Sequence, residues 1–69
     1  FAIIHQGAML NKFCEVQRTI VFNNATVGAH TKLRNCIVGP GAIVESNKKY
    51  SDKLFVLNES NKTEEFDLK

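Results

Sequence analysis

The sequence predicts an all-β chain wound as a parallel β-helix of about three 17-residue coils. Three observations predict it. Aliphatic residues recur at spacings of 6, 6 and 5. Those spacings sum to 17, so like residues return to like positions on successive coils. Gly, Asn and Pro fall between the aliphatic markers, where a coil would turn its corners.

The markers run in order. The first coil carries Ile4, Leu10 and Val16; the second carries Val21, Val27 and Leu33; the third carries Val38, Val44 and Tyr50. Phe55 then returns to the column of Ile4, Val21 and Val38. Four residues after each marker sit Ala8, Cys14, Ile20, Ala25, Thr31, Ile37 and Ala42. On the six-residue sides that residue is small enough for a tight inward position, and Ile20, Ile37 and Leu54 form the matching column of the five-residue sides. Stacked coils pair as parallel strands about 4.8 Å apart, which puts like on like. The run Val38-Gly39-Pro40-Gly41-Ala42 reads as the clearest corner, since Gly allows positive φ and Pro needs no ladder N–H. A helix would need apolar residues at 3.6 spacing, and that period is absent. A meander of hairpins would alternate with period two and give no 17-residue return.

The register runs from Ile4 to Leu54 and then fails. Lys48 falls where a small inward residue is due, and Asn61 where an aliphatic is due. Residues 1–57 are therefore expected to form the β-helix, and 58–69 a polar tail. That tail reads as a short helix capped by Thr63, with Glu64 and Glu65 in its first turn, or as a disordered end.

Composition excludes several classes. The chain has 69 residues, 43% hydrophobic and 23% charged, with one Pro. It lacks the profile of a disordered or collagen-like segment. Nine basic and seven acidic residues leave a net +2, too even for a nucleic-acid-binding arm. No apolar run approaches the roughly 18 residues of a membrane span. No basic stretch precedes an apolar one at the start, so no signal peptide is expected, and the chain reads as part of a longer protein. Two cysteines, Cys14 and Cys36, fit a reducing, cytosolic setting as free thiols. The triplets at Asn24, Asn58 and Asn61 match the glycan-acceptor pattern and are taken as chance.

Candidate sites are few. His30 could serve as a catalytic base, but its place favours an exposed corner in the column of Phe13. His5 sits at another corner. Cys14, Cys36, His5 and His30 show no metal-ligand spacing; Cys14 stacks with Thr31, and Cys36 with Thr19. Lys32, Arg34, Lys48 and Lys49 read as solvated charges. Gly39 and Gly41 precede no helix, so they make no phosphate loop. No catalytic, cofactor-binding or metal-ligating residue is assigned, and no cofactor is expected.

The pattern of an aliphatic, often followed by Gly and four later by a small residue, is the hexapeptide repeat. It resembles the left-handed β-helix domains of acyltransferases and sugar-nucleotide pyrophosphorylases. Residues 19–45 are more narrowly similar to the C-terminal repeats of the gamma subunit of the guanine-nucleotide exchange factor for eukaryotic translation initiation factor 2. Asn23-Asn24-Ala25, Cys36-Ile37-Val38-Gly39 with Gly41, and Val44-Glu45 carry that likeness. Lys48-Lys49 and Leu54-Phe55-Val56-Leu57 match the way the family ends its helix, while 58–69 are longer than its pattern.

The resemblance implies a left-handed coil and a scaffold role. The chain would be a non-catalytic assembly segment of a cytosolic exchange-factor subunit, with an epsilon-type subunit as its partner. No direct nucleic-acid or membrane contact is implied. The alternative is the accessory β-helix of a sugar-1-phosphate nucleotidyltransferase of the mannose-1-phosphate guanylyltransferase or glucose-1-phosphate adenylyltransferase type. A hexapeptide acyltransferase is the more distant reading. Unpaired strand edges are expected at both ends of three coils, the later one near Tyr50 to Leu57 covered by the chain's own tail or by a partner.

Overall fold

A computed structural model describes residues 1–68. All regular elements among them are strands: β1 (Ala2–Ile4), β2 (Met9–Leu10), β3 (Glu15–Gln17), β4 (Thr19–Val21), β5 (Thr26–Val27), β6 (Lys32–Arg34), β7 (Ile37–Val38), β8 (Ile43–Val44), β9 (Lys49–Ser51), β10 (Lys53–Leu57) and β11 (Thr63–Asp67). As far as β10, every third strand joins the same sheet. One sheet runs β1-β4-β7-β10-β11, a second β2-β5-β8 and a third β3-β6-β9. The chain is a left-handed parallel β-helix of three 17-residue coils, with a hairpin added to one of its three sheets.

The 17-residue return is the strand register. Ile4 pairs with Val21, Val21 with Val38, and Val38 with Phe55. Val27 lies between Leu10 and Val44, and Leu33 between Val16 and Tyr50. These three columns point inward and meet as the core, in which Val21, Val27, Val38 and Phe55 are buried. The small inward residue stands two places before each marker. On the six-residue sides this is the expected set, Ala8, Cys14, Ala25, Thr31 and Ala42. On the five-residue sides it is Thr19 and Cys36, both buried, one residue earlier than a count of four from the previous marker. Ile20, Ile37 and Leu54 do stack on one another, but alternation turns them outward and they are half-buried.

The two buried hydroxyls are satisfied. Thr19 Oγ1 donates to the Gln17 carbonyl (2.8 Å) and accepts from the Cys36 N–H (3.4 Å). Thr31 Oγ1 donates to the Glu45 carbonyl (2.6 Å). Cys14 and Cys36 are free thiols, and the Cys36 thiol donates to the Arg34 carbonyl.

Corners obey a rule of their own. Positive φ occurs at Gly7, Phe13, Arg18, Asn24, His30, Asn35, Gly41, Asn47 and Asp52, again at spacings of 6, 5 and 6. Each side of the coil ends in one left-handed residue. Gly and Asn hold that conformation at low cost; Phe13, Arg18 and His30 hold it against their Cβ. Gly39 has a different task. A Cβ there would lie 2.9 Å from the Phe55 carbonyl oxygen of the next coil.

The end of the chain departs from expectation. Residues 63–67 form neither a helix nor a frayed tail but strand β11, antiparallel to β10, with Leu54 opposite Phe66 and Lys53 opposite Asp67. The connecting turn is held by Asn58, whose Oδ1 accepts from the Ser60 and Lys62 N–H groups. Thr63 is not a helix cap; its Oγ1 accepts from the Ile43 N–H (2.9 Å). The apolar edge of β10 is thus covered by the chain itself. Lys69 lies outside the described residues. Lys48 is exposed, so no charge is forced into the interior where the small-residue column runs out.

Candidate functional site

The interior is nearly the same on all three sides, so chemistry differs only on the outward columns. The outward ladder of the five-stranded sheet is Ile3, Ile20, Ile37, Leu54 and Phe66, one apolar residue on each strand. Ile3 and Phe66, at its two ends, are 45% and 49% exposed. Beside it on the same side stand Phe22 and Val56, with Gly39 between them in the column. The outward ladders of the β3-β6-β9 sheet are Glu15, Lys32, Lys49 and Gln17, Arg34, Ser51. There the Lys32 ammonium pairs with the Glu15 carboxylate at 3.3 Å. The β2-β5-β8 sheet presents Met9, Thr26 and Ile43. One face is apolar, one charged and one mixed.

The individual candidates fall on corners. His30 is exposed and stacks on Phe13, ring centroids 5.1 Å apart. His5 stacks on Phe22 at 5.0 Å. Both imidazoles pack on the aromatic ring one coil away. Among the described residues, no three His, Cys, Asp or Glu side chains converge as a metal site. Lys32, Arg34 and Lys49 do share one face, which the linear sequence hides until 17 is subtracted.

The electrostatically unusual groups lie at the hairpin end. Burial lifts the Tyr50 phenol above its ordinary value of 10.0, and the Glu65 and Glu45 carboxylates lift it further, against the Lys53 ammonium. The hydrogen bond from Lys53 to Asp67 holds that ammonium above its ordinary value of 10.5, and the Asp67 and Glu65 charges add to the shift. Tyr50 and Phe55 meet edge to face at 4.9 Å. This grouping was not read from the sequence, because Glu65 reaches Tyr50 only through the antiparallel return of β11.

A stacked array of short parallel strands, 17 residues per coil and turning at left-handed corners, defines a hexapeptide-repeat β-helix protein. The family model "GlmU-like, C-terminal hexapeptide" matches residues 2–51, most of the chain, and the chain belongs to that family. Neither the comparison with curated proteins nor that with solved structures finds a match. Among the described residues no helix is long and apolar enough to cross a membrane.

Proposed function

We propose that this chain is an assembly segment, a β-helix rod whose faces dock other subunits and that catalyses nothing itself. The observation that carries the reading is the unbroken apolar ladder from Ile3 to Phe66 on the five-stranded sheet. An outward row with one apolar residue on every strand, half-buried in the middle and exposed at Ile3 and Phe66, serves neither core nor turn, and such patches mark interaction surfaces. Sequence likeness adds the finer reading. The parent would be the gamma-type subunit of the exchange factor for translation initiation factor 2, cytosolic, docked on an epsilon-type subunit and supporting exchange through that contact. In this reading it needs no cofactor and touches neither nucleic acid nor membrane.

The test is association of the parent chain with a purified epsilon-type subunit, read by pull-down. Ile20→Glu with Ile37→Glu should abolish capture while leaving the fold intact by circular dichroism. If both changes leave capture intact while a sugar-nucleotide pyrophosphorylase activity of the parent is lost, the accessory domain of a nucleotidyltransferase takes the place of the assembly reading.

A further inference from the structure

The third coil ends unevenly. On the five-stranded sheet β10 and β11 extend the ladder beyond β7, while the other two sheets stop at β8 and β9. The Ile43 N–H of β8 is taken by Thr63. β9 is an edge strand, with no neighbour on its far side among the described residues. Parallel pairing says which of its groups are left over. The Lys48 carbonyl accepts from Lys32 and the Asp52 N–H donates to Arg34, so that side of the strand faces β6. Alternation then turns the N–H and C=O of Lys49 and Ser51 to the open side.

Inward of that edge lies a cavity of about 130 Å³ walled by Val44, Tyr50, Phe55 and Thr63, with Glu45 and Glu65 at its mouth. That is room for several waters or for an aminoalkyl group. Two aromatic rings and two carboxylates suit a cation. The outward column beside it supplies the other half of the pattern. Glu15 and Lys32 already pair opposite charges one rung apart, and Lys49 is the next rung, with no acid on a further rung among the described residues.

We propose that β9 accepts an extended segment of a partner protein as a fourth rung, parallel to it. An acidic residue of that segment lies beside Lys49. The next residue, Lys or Arg, points inward over Tyr50 toward Glu65 and Glu45, and a polar residue follows beside Ser51. The recognition unit is an acid–base dipeptide in β conformation. A second copy of this chain does not supply it. Its one acid–base dipeptide, Asp52-Lys53, is held at a corner and in the Lys53–Asp67 ion pair. The proposal deepens the assembly reading and rests on it only for the existence of a partner.

The probe is a capped peptide with a Glu-Lys-Ser centre flanked by Thr and Val, compared with the order-reversed Lys-Glu-Ser peptide, both titrated into the full chain. The Glu-Lys peptide should slow hydrogen exchange at the Lys49 and Ser51 amides. By fluorescence anisotropy it should bind at least about fivefold more tightly than the reversed one, the upper range of an exposed ion pair. Glu65→Gln should remove about threefold of that preference. Lys49→Glu should shift preference to a peptide with Lys at the first of the two places. Equal binding of both peptides overturns the proposal. So does protection at Lys49 and Ser51 that rises with protein concentration alone, which would assign the edge to a second copy. If the peptides fail and the epsilon-type subunit is still captured, the edge proposal falls and the assembly reading stands.

Discussion

The five-stranded face and the charged face are built on the same interior and share no outward chemistry. Behind the first stand Val21, Val38 and Phe55; behind the second stand Val16, Leu33 and Tyr50. In front of the first stand Ile20, Ile37 and Leu54; in front of the second stand Lys32, Arg34 and Lys49. Strand alternation makes the two sets independent. The inward columns are dictated by packing, because each residue stacks on the inward residue of a neighbouring coil. The outward columns obey no such demand. The apolar outward ladder kept through five strands is therefore what the proposed assembly role rests on, and the charged columns face water and one another.

The inward columns give the largest expected effect. Val27→Ala removes two methyls from a fully buried site between Leu10 and Val44 and should cost about 2–4 kcal/mol in denaturant melts. Thr26→Ala, on the same strand but turned outward, should cost no more than about 0.5 kcal/mol. Equal losses would mean that the inward and outward sets are misassigned.

That contrast is legible in the sequence, since one subtraction of 17 places Val27 beneath Val44. Two features were not. On the five-residue sides, counting forward from the marker picks Ile20 and Ile37 as the inward set. The deletion that shortens the side lies before them, so counting back from the next marker finds Thr19 and Cys36. The hairpin was hidden for another reason. Thr63 to Asp67 is polar and poor in strand formers, and its pairing is stabilised by partners distant in the chain: Phe66 on Leu54, Asp67 with Lys53, Thr63 on Ile43. The signals present were the Asn58-to-Asn61 turn residues and the Phe66, Leu68 alternation. Both also fit a frayed end. The apolar outward ladder was visible as a column, but its direction was not.

The next effect separates the two faces by function rather than stability. Ile37→Glu should cost about 1 kcal/mol, as a half-buried aliphatic does, and should abolish subunit capture. Lys32→Glu should leave capture on the five-stranded face unchanged, and its stability loss should stay within about 1 kcal/mol because its partner Glu15 is exposed. If Lys32→Glu abolishes capture and Ile37→Glu does not, the docking face is the charged one.

The two inward columns also end differently, in Phe55 and in Tyr50, and pH tells them apart. The folded-state pKa of Tyr50 is raised above 10.0, and that of Lys53 above 10.5. A raised folded pKa contributes stability that is fully present below the unfolded value and lost as pH rises through the folded one. Stability should therefore fall above about pH 10. Tyr50→Phe should flatten the first part of that fall, and Lys53→Met the later part. Melting midpoints measured from pH 9 to 11.5 check this. A decline unchanged by Tyr50→Phe would mean that the phenol is not held neutral by burial and by Glu65 and Glu45.

The corners between the faces give the smallest effect. His30 is an exposed corner residue with φ of 59°, and its imidazole lies on the Phe13 ring. Two small losses add on truncation. His30→Ala loses the exposed stack, and Ala tolerates the left-handed region less well than His does. Both terms are small where water replaces the ring, so the expected loss is no more than about 0.5 kcal/mol. His30→Gly loses the same stack but relieves the Cβ clash that makes left-handed φ unfavourable, by about 1 kcal/mol. The greater freedom of the unfolded Gly chain offsets part of that relief. His30→Gly should therefore be at least as stable as His30→Ala, in the same denaturant melts used for Val27→Ala. A ranking with Ala above Gly would show that the corner carries no strain at this position. A loss for either variant approaching that of Val27→Ala would place His30 inside the fold.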